Sequence, residues 1–217
     1  MTLTIAIDGP GAAGKGTLAR RLAEAFDLAY LDTGLVYRAV AARLLAAGQS
    51  PHDQAAAGAM AERLVPDDLT RADLRAEAVS QAASEVAAAP AVRAALLDFQ
   101  RNFAARPPDG KAGAVLDGRD IGTVVCPGAD VKLFVTAELE ARAARRHKEL
   151  LERGEQSIYP RVLDELRMRD ARDSGRSTAP LRPADDAFIL DTSALGADQA
   201  FDAAVQHILA RCPSLRP

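Results

Sequence analysis

Residues 9–17 read Gly-Pro-Gly-Ala-Ala-Gly-Lys-Gly-Thr. Gly9, Gly14 and Lys15 satisfy the G-x-x-x-x-G-K spacing of a phosphate-binding loop. Glycine permits the tight turn in which successive backbone N–H groups point inward at phosphate oxygens. The helix that follows adds partial positive charge at the same place. Lys15 is then placed to reach the outer phosphates of a nucleoside triphosphate, and a hydroxyl is needed for its magnesium ion. The residue after Lys15 is Gly16, so that hydroxyl falls one place later, at Thr17. The whole run, Gly9, Pro10, Gly11, Ala12, Ala13, Gly14, Lys15, Gly16 and Thr17, is the expected triphosphate site. A displaced hydroxyl is more typical of small-metabolite and nucleotide kinases than of motor or switch NTPases.

Other reactive residues follow other apolar runs. Asp117 ends the run at 113–117, where an aspartate beside a phosphate loop holds Mg²⁺ directly or through water. Arg119 and Asp120 come next and are expected in the same cleft. After the run at 28–31, Asp32 or Thr33 is placed to cap a helix, with Arg38 about one turn inside it. Arg142, Arg145 and Arg146 are spaced by three and one, on adjoining parts of one helix side. They form either a solvated face or a set that closes over a triphosphate. Residues 167–176 read RMRDARDSGR, in which Arg169, Asp173 and Arg176 share a side if the helix persists past Ser174. The spacing suits intrahelical ion pairs as well as a ligand-facing cluster.

These residues need a scaffold that gathers them. Strand-like runs lie at 3–7, 28–31, 113–117, 131–135 and 187–191, with helical patterns at 15–26, 34–47, 138–153, 160–171 and 197–211 between them. Such alternation predicts a parallel five-stranded sheet with helices on both faces and ligands beyond the carboxyl ends of the strands. The stretch 52–110 interrupts it with prolines and Ala-rich helical patterns at 71–88 and 91–104. A long excursion between the second and third strands suits a flap over a second substrate.

Composition narrows the partners. A net charge of −3 over 217 residues gives no overall basic field for nucleic acid. Cys126 and Cys212 match no metal or redox spacing and suit a reducing cytoplasm. No 18-residue apolar run exists, and a strand begins by residue 3, so neither a membrane span nor a signal peptide is expected. Arginine outnumbers lysine 23 to 4, which reflects either a GC-rich genome or bidentate phosphate binding.

Together the segments IAIDGPGAAGKGT (5–17), LDTGLVYRAVA (31–41), AASEVAAAPAVRAAL (82–96), DGRDIGTVVCPGADVKLFVTA (117–137) and RDARDSGR (169–176) resemble the bacterial cytidylate kinases, a branch of the nucleoside monophosphate kinases. The resemblance covers most of the chain, and DGRD-x-GTVV and RD-x-RD-x-x-R are far more specific than the phosphate loop. It implies an α/β P-loop NTPase fold in one domain, with a core of 1–50 and 111–217. To that core it adds a mostly helical monophosphate-binding insertion at about 51–110 and a short helical lid at about 142–160. It implies transfer of a phosphoryl group from ATP, with Mg²⁺ on Thr17 and Asp117, to CMP or dCMP. Arg38, Arg119 and Arg176 would surround the acceptor phosphate, with Thr33 nearby. Ser84, Arg93 and Asp120 would read the cytosine edge, and Arg169 and Asp173 would lie at the sugar. Lys15, Arg119, Arg142, Arg145 and Arg146 would stabilise the transferring group. A cytoplasmic monomer with no nucleic-acid or membrane partner is expected. The sequence departs from the family in a shortened insertion around 62–78, where no strand pattern is seen. The alternatives are a P-loop kinase for another small acceptor and a non-enzymatic nucleotide-binding switch.

Overall fold

Alternation of apolar residues along the first strand already separates two faces. Ile5 and Ile7 are buried on one side of the sheet and Ala6 on the other. The same division recurs in the third strand, with Val115 opposed to Ala114 and Leu116, as expected where both faces of a parallel sheet are covered. The computed structural model describes residues 2–216. Its five strands are β1 (Leu3–Asp8), β2 (Ala29–Asp32), β3 (Gly113–Gly118), β4 (Val131–Thr136) and β5 (Phe188–Asp191), in spatial order β2-β3-β1-β4-β5. Every pairing is parallel, and the register sets Asp8 beside Gly118 and Asp32 beside Asp117 at the carboxyl ends.

Helix α1 (Lys15–Ala25) buries Leu18, Ala19, Leu22 and Ala23, one stripe at helical spacing, against the face that α8 (Ala197–Arg211) also covers. The opposite face is covered by α2 (Thr33–Ala46), through Val36, Val40 and Leu44. Outside it lie α3 (Gln54–Glu62), α4 (Glu77–Val86) and α5 (Pro90–Ala105), which contribute Ala57, Val79, Val86, Val92 and Leu96 to the same cluster. The segment 52–110 is thus helical and shares a core with the sheet. The Asp53 carboxylate caps α3 by accepting from the Ala56 N–H at 3.0 Å, and Pro90 opens α5. Two 3₁₀ turns, Pro66–Thr70 and Ala72–Arg75, occupy the shortened stretch, where no strand was expected. Helices α6 (Leu139–Glu152) and α7 (Tyr159–Ser174) pack on each other through Ala143, Leu150, Val162 and Leu166. Helix α7 runs to Ser174, so Arg169 and Asp173 do share one helix side, and Arg176 follows just beyond Gly175.

Candidate functional site

The loop after β1 wraps the start of α1. Gly9 has φ +146° and sits so close to β4 that a Cβ would lie 1.9 Å from the Val135 carbonyl oxygen, so only glycine fits. Gly14 supplies the left-handed residue before α1. Lys15 is buried and donates from Nζ to the Pro10 carbonyl at 2.9 Å, closing the loop on itself. Burial lowers its pKa to about 7, with Arg119 adding to the effect and Asp117 opposing it. A Cβ at Gly16 would approach Asp117 Oδ2 to 3.2 Å, a tight contact with that carboxylate. Asp117 is buried, accepts from the Tyr30 hydroxyl at 3.1 Å, and is raised to about 6 by burial, with Asp32 contributing.

A cleft of about 470 Å³ opens beyond the strand ends. Nine arginines and Lys15 line it, which concentrates positive charge in a chain of net charge −3. Lys15, Thr33, Arg38, Ser84, Arg93, Asp117, Arg119, Asp120, Arg169, Asp173 and Arg176 all reach it. Asp173 is its hub. Arg119 Nε donates to Asp173 at 2.9 Å, Arg176 donates to its other oxygen, and Arg169 Nε stands 4.0 Å away. Burial opposes the charge on Asp173, but Arg119, Arg176 and Arg169 outweigh it and hold the carboxyl below its ordinary range. The same crowding, after burial itself, lowers Arg169 to about 10. Among the described residues, the Nε atoms of Arg169 and Arg176 are buried without a hydrogen-bond partner. Arg38 is lowered by burial and by nearby Arg75, Arg146 and Arg119, with Asp32 pulling the other way. Such a surplus of guanidinium donors is what a phosphate would satisfy.

Further along the cleft Arg93 and Asp120 form a buried ion pair, with Arg93 above the Tyr37 ring at 5.6 Å. Arg93 also donates to the Ala87 carbonyl at 3.1 Å. Ser84, buried on α4, lines the same cleft.

Three expectations need correction. Arg142, Arg145 and Arg146 do not act as one cleft-facing set. Arg142 is buried and donates to the Ala137 carbonyl at 2.8 Å, the Gly11 carbonyl at 3.3 Å and Asp170 at 2.7 Å. Arg145 turns to Thr192, whose hydroxyl donates to the Ala13 carbonyl at 3.0 Å. These two arginines brace the phosphate loop, and only Arg146 lines the cleft, paired with Glu77 and Glu149. A one-residue step turns a helix by about 100°, so Arg145 and its neighbour Arg146 diverge. Thr17 is exposed and lines a second groove, not the cleft that holds Asp117. Asp32 stands at the N-cap of α2 but its side chain accepts no capping hydrogen bond. Thr33 is the first helical residue and donates instead to the Asp117 carbonyl at 2.7 Å, tying α2 to β3.

Residues outside the recognised motifs also matter to this geometry. Asp8 is buried, and its two oxygens accept from the N–H groups of Ile121 and Gly122, each at 2.7 Å. It thereby anchors the π-helical turn Ile121–Val125 directly after Asp120. Its position at the end of an apolar strand was the available signal. Arg172 reaches Ser84, and its spacing of three from Arg169 placed it near the cleft. The second groove, about 210 Å³, is bounded by Gly14, Thr17, Arg21, Arg145, Thr192 and Leu195. Its far wall comes from the loop after β5, which carried no motif.

A phosphate loop at the carboxyl edge of a parallel sheet, facing an arginine-lined acceptor cleft, defines a P-loop kinase. A fold-level likeness agrees. A sugar kinase structure from Janibacter sp. HTCC2649 superposes with a TM-score of 0.50 at 16% identity, covering 99% of this chain and 98% of that one. An uncharacterised protein from Eubacterium ventriosum gives 0.53 at 13% identity, covering 95% and 98%. The family model for cytidylate kinase matches residues 5–210. Cytidylate kinase from Paramagnetospirillum magneticum is 64% identical over 94% of this chain and 97% of its own length. That from Granulibacter bethesdensis is 59% identical over 98% and 100%. The chain belongs to the cytidylate kinase family.

Proposed function

We propose that the protein transfers the γ-phosphoryl group of MgATP to the 5′-phosphate of CMP, and of dCMP, giving the diphosphate and ADP. The observation that carries this reading is the pair of unpartnered guanidinium donors, Arg169 Nε and Arg176 Nε, beside Lys15 and next to the Arg93–Asp120 pair. Anionic phosphate answers Arg176, the neighbouring sugar answers Arg169, and a base edge with donors and acceptors answers the Arg93–Asp120 pair. The acceptor oxygen is already an anion at neutral pH, so the reaction needs positioning and charge neutralisation, with no strong general base. Lys15 and the loop amides hold the donor's outer phosphates. Arg38, Arg119 and Arg176 hold the acceptor phosphate in line, with Arg169 and Asp173 at the sugar and Thr33 at the strand edge. Ser84, Arg93 and Asp120 meet the base. Arg146 reaches the donor from the lid side, while Arg142 and Arg145 act through the loop they brace. The second groove, largely apolar and continuous with Thr17 and Gly14, suits the adenine of ATP.

Magnesium fits this site as a companion of the nucleotide. Asp117 offers a buried oxygen donor facing Gly16, with Asp32 next to it. Among the described residues no group of three or more metal-binding side chains is assembled. One or two carboxylates completed by substrate phosphates is the usual magnesium arrangement. Asp117 would hold the ion, which would neutralise charge on the β,γ-phosphates. Thr17, exposed on the first turn of α1 and lining the second groove, would offer its hydroxyl to the nucleotide and its ion. No helix among the described residues is long and apolar enough to cross a membrane. The insertion at 51–110 and the lid at 142–160 are taken as the parts that close over the acceptor and donor. We take the working form to be a cytoplasmic monomer that has no nucleic-acid partner.

A panel of nucleoside monophosphates with MgATP, read as ADP formation, tests the assignment. CMP should stimulate turnover far more than UMP or AMP, and Asp120→Ala should lower kcat/KM for CMP by about a hundredfold, as loss of a buried charged partner does. Equal stimulation by all three monophosphates overturns it.

A further inference from the structure

Several cations of the cleft, Lys15, Arg38, Arg75 and Arg172, make no ion pair among the described residues, and Arg172 alone of these bonds to a side chain of the base-facing set. Arg119 and Arg176 are tied to Asp173, Arg93 to Asp120, and Arg146 to Glu77 and Glu149. Arg172 makes no ion pair among the described residues, and its one hydrogen bond there is from Nη1 to the Ser84 hydroxyl, at 2.8 Å. That bond crosses the cleft. It joins α7, which carries Arg169 and Asp173, to α4 in the insertion, 88 residues away in sequence. Ser84 is only 4% exposed and lines the cleft, so this bond fixes a hydroxyl already held in a narrow setting.

We infer that Arg172 is a specificity-determining positioning residue, which polarises the Ser84 hydroxyl into a hydrogen-bond donor and so favours cytosine over uracil. This rests on the proposed reaction and deepens it. A serine hydroxyl carries one proton and two lone pairs, and by itself serves as donor or acceptor. A guanidinium N–H on one lone pair strengthens the O–H as a donor and weakens the remaining lone pair as an acceptor. The three base-facing groups then have distinct signs. Arg93 only donates, Ser84 is biased to donate, and the Asp120 carboxylate accepts. Cytosine matches this set, with an amino donor beside the acceptors N3 and O2. Uracil carries an N–H at position 3 and a carbonyl where cytosine has its amino group. It would set a donor against donors and leave the Asp120 carboxylate facing an oxygen. Unpaired polar groups of this kind are a strong source of discrimination in enzyme sites. Without Arg172, Ser84 can rotate to accept from uracil, and one element of the rejection is lost.

The test compares kcat/KM for CMP and for UMP in the wild type, Arg172→Met, Arg172→Lys, Ser84→Ala and the double variant Arg172→Met/Ser84→Ala. KM for ATP is followed in parallel. Arg172→Met should lower the CMP-to-UMP ratio by about two- to tenfold, the span of one net hydrogen bond, through acceptor KM and with ATP KM unchanged. Arg172→Lys, which keeps a cationic donor, should recover most of the ratio. The double variant should be no less selective than Ser84→Ala, because Arg172 acts through that hydroxyl. A wild-type ratio in Arg172→Met overturns the inference, and so does an additive loss in the double variant. A wild type that does not prefer CMP defeats the proposed function first, and is seen before any variant is compared.

Discussion

Asp8 shows how one buried side chain links the two halves of the site. It ends the strand that launches the phosphate loop, yet its two oxygens are spent on the backbone of Ile121 and Gly122, directly after Arg119 and Asp120. Burial raises its pKa from 3.8 to about 6, while those two N–H groups pull it back. The folded chain therefore holds this proton more tightly than the unfolded chain does. The contribution of Asp8 is most favourable below about pH 4 and is lost as pH rises to about 6, an effect on the order of 3 kcal/mol at most. Asp8→Asn should flatten that part of the stability profile, measured by urea unfolding at pH 4.5 and 6.5. The same variant should raise KM for CMP, since an amide offers one acceptor where two N–H groups need it. Comparison with the wild type separates Asp8 from Asp117, which titrates over the same range. An unchanged slope between the two pH values would show that Asp8 stays ionised throughout.

At the level of elements, the site depends on how close the loop after β1 lies to β4. Gly9 has no room for a methyl group against the Val135 carbonyl, in a backbone conformation that alanine also resists. Gly9→Ala should cost at least about 4 kcal/mol, placing it among the severe backbone substitutions. The check is loss of a cooperative thermal transition or a large drop in Tm; a Tm within a few degrees of wild type would show that the strands part readily. Such tightness explains what could be read from sequence. The five strands and the helices flanking them announced themselves because Ile5, Ile7, Val115 and Leu133 alternate or cluster at strand spacing and Leu18, Leu22 and Ala19 at helical spacing. The helical pattern at 91–104 is α5, opened by Pro90, whereas the pattern at 71–88 is divided into the 3₁₀ turn Ala72–Arg75 and α4. The π-helical turn at 121–125 was invisible because its cause is Asp8, more than a hundred residues away. The parting of Arg142 and Arg145 from Arg146 was equally hidden. Their partners, Asp170 and Thr192, come from later elements that meet α6 only in the folded chain. The arginine cluster around Asp173 was legible as spacing, but only the fold brings Arg119 to it.

Across the whole molecule, the cleft is spanned by side chains that join the insertion to the rest of the chain. Arg93 meets Asp120, Arg172 meets Ser84, and Arg146 meets Glu77 at the mouth. The first is buried, whereas the last is partly solvated, with side-chain exposures of 20% for Arg146 and 37% for Glu77. A pair that exposed adds little to stability, on the order of 1 kcal/mol or less. Its importance lies in what it occupies. Arg146 also bonds to Glu149, so both its arms are held by carboxylates, and in the proposed reaction a donor phosphate would have to displace at least one of them. Glu77→Gln removes one competitor and also one negative charge near the incoming phosphates. The variant should bind MgATP about two- to fivefold more tightly by calorimetry, the range set by a pair of that strength. Its Tm should fall by less than about 4 °C, as a loss of 1 kcal/mol or less implies for a chain of this size. Weaker ATP binding, or a collapse in Tm, would mean that the Arg146–Glu77 contact is a structural strut between insertion and lid, and not a latch that the donor opens.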